Sequence, residues 1–189
     1  MKTLTDNFNK AYPNFASIAF TDACVIEEPA NAANGKFHRL TLTGFNGYGF
    51  PHNLVSQTAS FATASQKGIT TTKDCHYDVL RKDCDKVIVF ERAGQKYMLF
   101  CELKSTFSTQ EVFDAKDQIV GSLVKIRSLF QSIQGVNVND YKPIGLIVSF
   151  KPTAEQLNAL SKNEDCKTSF AIFLVSNRKY PMTSLKTDR

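Results

Sequence analysis

No stretch of this 189-residue chain reaches the roughly 18 consecutive apolar residues of a membrane span, and its first residues, MKTLTDNFNKAYPNF, contain no apolar signal-peptide core. These absences predict a cytoplasmic protein without a membrane partner. No Cys-x-x-Cys pair occurs, and the five cysteines (Cys24, Cys75, Cys84, Cys101 and Cys166) are odd in number and widely spaced, which predicts reduced, mostly buried thiols. Cys75, His76 and Cys84 lack a fourth ligand at zinc spacing. His38, His52 and His76 stand in polar or loop contexts with no nucleophile elbow, which argues against a serine-histidine-acid triad. The Gly44–Gly49 string lacks both the G-x-x-x-x-G-K-[ST] pattern and a following helix, so it reads as a turn or loop and not as a phosphate cradle. Repeats and low-complexity segments are also missing.

The composition is that of an ordinary folded domain, and the length suits one domain, residues 1–189. The formal net charge of +5 is compatible with a polyanionic partner.

The most informative stretch is Lys96–Phe107 (KYMLFCELKSTF), a near-continuous apolar run that ends in Glu102-Leu103-Lys104, as a buried strand does. Side chains two apart on a strand share a face at about 6.5 to 7 Å, so Glu102 and Lys104 point one way and Leu103 the other. Lys86–Arg92 (KVIVFER) is a second strand, and Ala93-Gly94 between the two predicts a hairpin. With a two-residue loop, Arg92 pairs with Gln95, and counting back along the ladder sets Asp85 opposite Glu102. A slip of one residue would turn Asp85 to the other face.

Thr109–Gln134 predicts an amphipathic helix, with Val112, Ala115, Ile119, Leu123, Ile126, Phe130 and Ile133 in an apolar stripe. Ser108 or Thr109 can cap it, with Glu111 in its first turn. Gln118, Ser122 and Lys125 form a polar seam beside the stripe. Pro143–Phe150 and Ser169–Val175 read as further apolar strands around a short helix at Thr153–Ser161. Asp6–Phe20 suggests a helix interrupted at Pro13, with Phe8, Tyr12, Phe15, Ile18 and Phe20 as packing residues. Cys24–Glu28 and Phe37–Phe45 suggest strands, and Asn53–Gln66 a helix capped by Asn53. The basic end, from Arg178-Lys179 through Lys186 and Arg189, reads as frayed. Strand, helix and strand in succession predict an α/β fold with a central mixed sheet flanked by helices.

Asp85, seventeen residues before Glu102-Leu103-Lys104, with a hairpin between and Asp114-Ala115-Lys116-Asp117-Gln118-Ile119 on the helix after, resembles the core of the PD-(D/E)XK nuclease superfamily. The likeness covers Cys84 to Phe150. Asp85 follows Cys84 and not a proline, so the Pro-Asp element is missing. The resemblance implies a restriction-endonuclease-like αβββαβ core at about residues 53–176 with residues 1–52 as an N-terminal elaboration; Asn53–Gln66 or Asp6–Phe20 would supply its first helix. It further implies a nuclease using Mg2+ or Mn2+ held by Asp85, Glu102 and the Leu103 carbonyl, with Lys104 at the attacking water and Gln118 holding a water, the lysine or a phosphate. Some members carry an extra glutamate ligand on the first helix, for which this chain offers Glu27 or Glu28. The implied substrate is nucleic acid, DNA ahead of RNA, in defence or repair, with a homodimer or a larger protein partner to cut two strands. The alternative is a catalytically inactive module of the same shape that binds nucleic acid or protein. The bland reading of Glu102 and Lys104, a surface ion pair, is worth under about 1 kcal/mol.

Overall fold

The computed structural model describes residues 1–27, 39–51, 54, 82–104, 108–149, 153–155, 158, 171–175 and 179–184. Its elements run in the order α1 (Lys2–Ala11), β1 (Ile18–Phe20), β2 (Ala23–Glu27), β3 (Arg39–Thr43), β4 (Gly47–Phe50), β5 (Lys86–Arg92), β6 (Gln95–Lys104), α2 (Thr109–Gln131), β7 (Tyr141–Ser149), β8 (Ala171–Val175) and β9 (Lys179–Pro181), with short 3₁₀ turns after α1, α2 and β9.

A six-stranded sheet carries the order β1-β4-β5-β6-β7-β8, and a three-stranded sheet the order β2-β3-β9. From β1 to β6 the large sheet is antiparallel; β6, β7 and β8 then run parallel. The α/β class with a mixed sheet is therefore as the sequence predicts. β6 is paired on both sides, which explains why it is buried without interruption from Tyr97 to Leu103.

Strand alternation sorts the large sheet into two cores. Val87, Val89, Met98, Phe100 and Ile147 face one side, where α1 and α2 lie with Leu4, Phe8, Ala115, Ile119, Ile126 and Phe130. Rings of Phe8, Phe50 and Phe130, with centroids 5.0 to 5.8 Å apart, tie α1 and α2 to β4. Ile88, Phe90, Tyr97, Leu99, Cys101, Leu103, Leu146 and Val148 face the other side, against Cys24, Ile26, Leu40 and Leu42 of the small sheet. Helices, large sheet and small sheet thus form three layers. All seven residues of the expected α2 stripe are buried, and Ser108 closes a full capping box with Glu111.

Several expectations are corrected. Gly47–Phe50 is a strand and not a loop: a Cβ on Gly47 would come within 2.6 Å of the Val89 carbonyl and 2.8 Å of the Phe20 ring, so close strand packing accounts for that glycine. The helical reading of Asp6–Phe20 gives way to α1 ending at Ala11, a 3₁₀ turn at Pro13–Phe15 and strand β1. Ile18, read as a packing residue, is 68 % exposed on that edge strand. Lys179–Pro181 does not fray but pairs in parallel with β3, and Met182 is buried behind it. The N-terminal residues, set apart in the sequence as an elaboration, contribute β1 and β4 to the large sheet and α1 to its helical face.

Leu54 is helical and buried; the remainder of the Asn53–Gln66 helix, His38, His52, Cys75, His76, Cys166, Glu28, most of Thr153–Ser161, Arg178 and the last basic residues lie outside the described residues. Among the described cysteines, Cys24, Cys84 and Cys101 are free and buried, as expected.

Candidate metal centre

The hairpin fixes the centre. Ala93 and Gly94 both adopt positive φ, 49° and 76°, the signature of a two-residue type I′ turn. The resulting register runs from Arg92↔Gln95 to Lys86↔Cys101, and its continuation by one step sets Asp85, just before β5, beside Glu102 and Leu103. The Leu103 backbone N–H donates to Asp85 Oδ2 at 2.6 Å, while the Leu103 side chain turns into the inter-sheet core.

Glu102 and Lys104 alternate onto the helical face with Met98 and Phe100. Lys104 Nζ donates to Glu102 Oε1 at 2.7 Å and to Gln118 Oε1 at 2.6 Å. The Gln118 amide in turn donates to the Asp83 carbonyl at 3.1 Å. The structure therefore brings Asp85, Glu102, Lys104 and Gln118 to one strand end.

The α2 polar seam does more than flank this cluster. Residues 82–84 run without regular structure into Asp85, and α2 holds them by side chains. Ser122 Oγ accepts from the Cys84 N–H at 2.8 Å; Lys125, only 5 % exposed, donates to the Lys82 carbonyl at 2.9 Å and pairs with the Asp83 carboxylate. From the opposite direction Lys82 Nζ reaches Asp114 at 2.8 Å and Asp117 at 2.9 Å. Each of the two lysines is thus paired with aspartates of the clamp, three in all.

Burial has consequences for Glu102, which is 2 % exposed. Desolvation first, and then the Asp85 charge, push its carboxyl up to about 8, against the pull of Lys104 and of the Asp85 backbone N–H. Burial likewise raises the Cys84 and Cys101 thiols, which keeps them protonated.

Two buried side-chain oxygens among the described residues have no hydrogen-bond partner: Glu102 Oε2 and Ser149 Oγ. Such orphans are rare in folded proteins. Sequence reasoning missed Ser149, although its signal was visible as a hydroxyl closing an otherwise apolar strand beside the Glu-x-Lys strand.

Among the described residues no group of three or more His, Cys, Asp or Glu side chains is placed to hold a metal ion. Asp85 and Glu102 at one strand end fit magnesium, which binds through one or two carboxylates and keeps several waters. Glu102 Oε2 is an oxygen left available for it. Glu27 is corrected as a further ligand: it ends β2, in the sheet on the opposite side, and pairs with Arg39 at 3.2 Å.

Comparison with models of protein families, with curated proteins and with solved structures finds no match to this chain. No described helix is long and apolar enough to cross a membrane.

Proposed function

We propose that this protein is a divalent-metal-dependent phosphodiesterase acting on nucleic acid, DNA ahead of RNA, built on a restriction-endonuclease-like core. The order α1, β4, β5, β6, α2, β7 is helix, three antiparallel strands, helix and a strand parallel to the third, which supports the αβββαβ reading. The observation that carries the function is Glu102 Oε2, a buried acidic oxygen without a partner beside a second carboxylate and a lysine.

Asp85 and Glu102 would hold Mg2+ or Mn2+, with the Leu103 carbonyl as a third protein oxygen. When bound, the cation would neutralise the scissile phosphate and make a water more acidic at neutral pH. The remaining work falls to the chain. The Leu103 N–H fixes the Asp85 carboxylate in orientation. Gln118 anchors Lys104 alongside Glu102, so that its ammonium orients the attacking water and stabilises charge developing on the phosphate. The attacking water gives up a proton to solvent as its oxygen forms the new P–O bond, the ester P–O bond breaks, and the departing oxygen takes a proton from solvent. A fixed lysine needs no reorganisation at that moment, which is the advantage of the Gln118 tether.

Plasmid DNA and RNA incubated with Mg2+ or Mn2+ provide the test. Cleavage by the wild type, lost in Glu102→Ala and Lys104→Ala, is expected. Failure of the wild type to cut either polymer, or cutting that survives both substitutions, removes the nuclease reading; retained binding without turnover would favour an inactive module.

A further inference from the structure

The two orphaned oxygens are not scattered. Ser149 stands opposite Lys104 in the parallel β6–β7 ladder, two rungs beyond Glu102↔Ile147. It shares a face with Ile147, which packs in the helical-side core, and hence with Glu102 and Lys104. Neighbouring strands lie about 4.8 Å apart and alternate residues about 6.5 to 7 Å along a strand. The hydroxyl and the carboxylate oxygen on that diagonal do not bond each other, since each is without a partner. Ser149 is fully buried, so bulk solvent does not satisfy it. A buried hydroxyl left unpaired destabilises the fold.

We propose that Ser149 is a further side chain of the metal centre: Glu102 Oε2 binds the divalent cation directly, and the Ser149 hydroxyl holds one of its waters. This rests on the reading of Asp85 and Glu102 as metal ligands. Ser149 is a positioning residue that acts through the water. Outer-shell partners of this kind change metal affinity by about 10- to 100-fold when removed.

The test is magnesium titration by calorimetry, with thermal unfolding of the metal-free protein as a second readout. Ser149→Ala is expected to weaken Mg2+ binding about 10-fold or more, while the metal-free variant melts at or above the wild-type temperature because an unpaired buried hydroxyl is gone. A purely structural serine gives the reverse, a lower melting temperature with unchanged Mg2+ affinity, and that result overturns the proposal. Ser149→Cys, near in size and a poor hydrogen-bonding group, carries the same test if the alanine protein does not fold. Loss of Mg2+ binding in Glu102→Gln checks the underlying reading separately. Wild type that binds neither Mg2+ nor Mn2+ removes both ideas, whereas wild-type binding left intact by Ser149→Ala removes only the role of Ser149.

Discussion

Asp85 Oδ2 accepts the Leu103 N–H at 2.6 Å, so the carboxylate entering β5 is fastened to the residue between Glu102 and Lys104. The two strands do not merely bring their acids together; one acid is oriented by the backbone of the other strand. Asp85→Asn should abolish Mg2+ binding, and Asp85→Ala should also lower stability by about 1.5 to 3 kcal/mol, the usual worth of a hydrogen bond to a charged group. Urea unfolding and calorimetry measure the two effects. An Asp85→Ala protein as stable as wild type would show that the bond does not hold the strand end.

Glu102 makes the metal-free protein pH-sensitive. Its carboxyl stands at about 8 in the fold against 4.5 for an ordinary glutamate, so between those values the folded protein holds a proton that the unfolded chain has lost. The stabilisation is fully present below about pH 4.5, declines at up to about 1.4 kcal/mol per pH unit, and is gone above about pH 8. Urea unfolding at pH 5, 7 and 9 should show this decline in the wild type and a flatter profile in Glu102→Gln. Because a metal ligand must be deprotonated, Mg2+ affinity should rise over the same interval; an affinity independent of pH would contradict the assignment of Glu102.

Under the proposed function, substitution of Lys104 should separate binding from turnover. Without it Glu102 loses the partner at 2.7 Å, so the metal-free carboxyl should move further up. With no metal-binding role of its own, Lys104→Ala should still take up Mg2+ near pH 9 while cleavage falls by at least about 100-fold. Calorimetry beside a cleavage assay decides; equal losses in both would make the lysine a structural partner of Glu102.

The clamp on residues 82–84 has its own energetic signature. Lys125→Met leaves the Asp83 carboxylate without its buried cation, which should cost about 3 kcal/mol or more. Adding Asp83→Leu should recover part of that loss, because removing both members of a buried pair is cheaper than removing one. Urea unfolding of the single and double variants measures the coupling.

Gly47 provides a control far from the chemistry. A methyl group there meets the Val89 backbone oxygen, which cannot move aside, whereas at Gly49 it meets the flexible end of Lys86 at 3.2 Å. Gly47→Ala should cost about 1 to 3 kcal/mol and Gly49→Ala clearly less, as read by thermal unfolding.

What could be foreseen from residue order follows from how local its cause is. The β5–β6 register was legible because a two-residue Ala-Gly turn leaves little freedom, and α2 because its apolar stripe repeats without a break. β4 was hidden because Gly47 and Gly49 look like breakers until Phe20 and Val89 are seen to fill the space of the missing side chain at Gly47. β9 was hidden because three residues carry no periodicity, and its partner β3 lies far back in the chain. At the centre, the residue types at 85, 102, 104 and 118 could be paired by counting, but the hold of Ser122 and Lys125 on residues 82–84 joins segments about forty residues apart, and the isolation of Ser149 Oγ is a property of packing alone.

The parallel contact of β9 with β3 bears on synthesis. Arg39–Thr43 is made well before Lys179–Pro181 and can pair first with β2, so its other edge stays open until β9 follows. During that interval the nascent chain carries an uncovered strand edge, a place where a second copy or a chaperone can add.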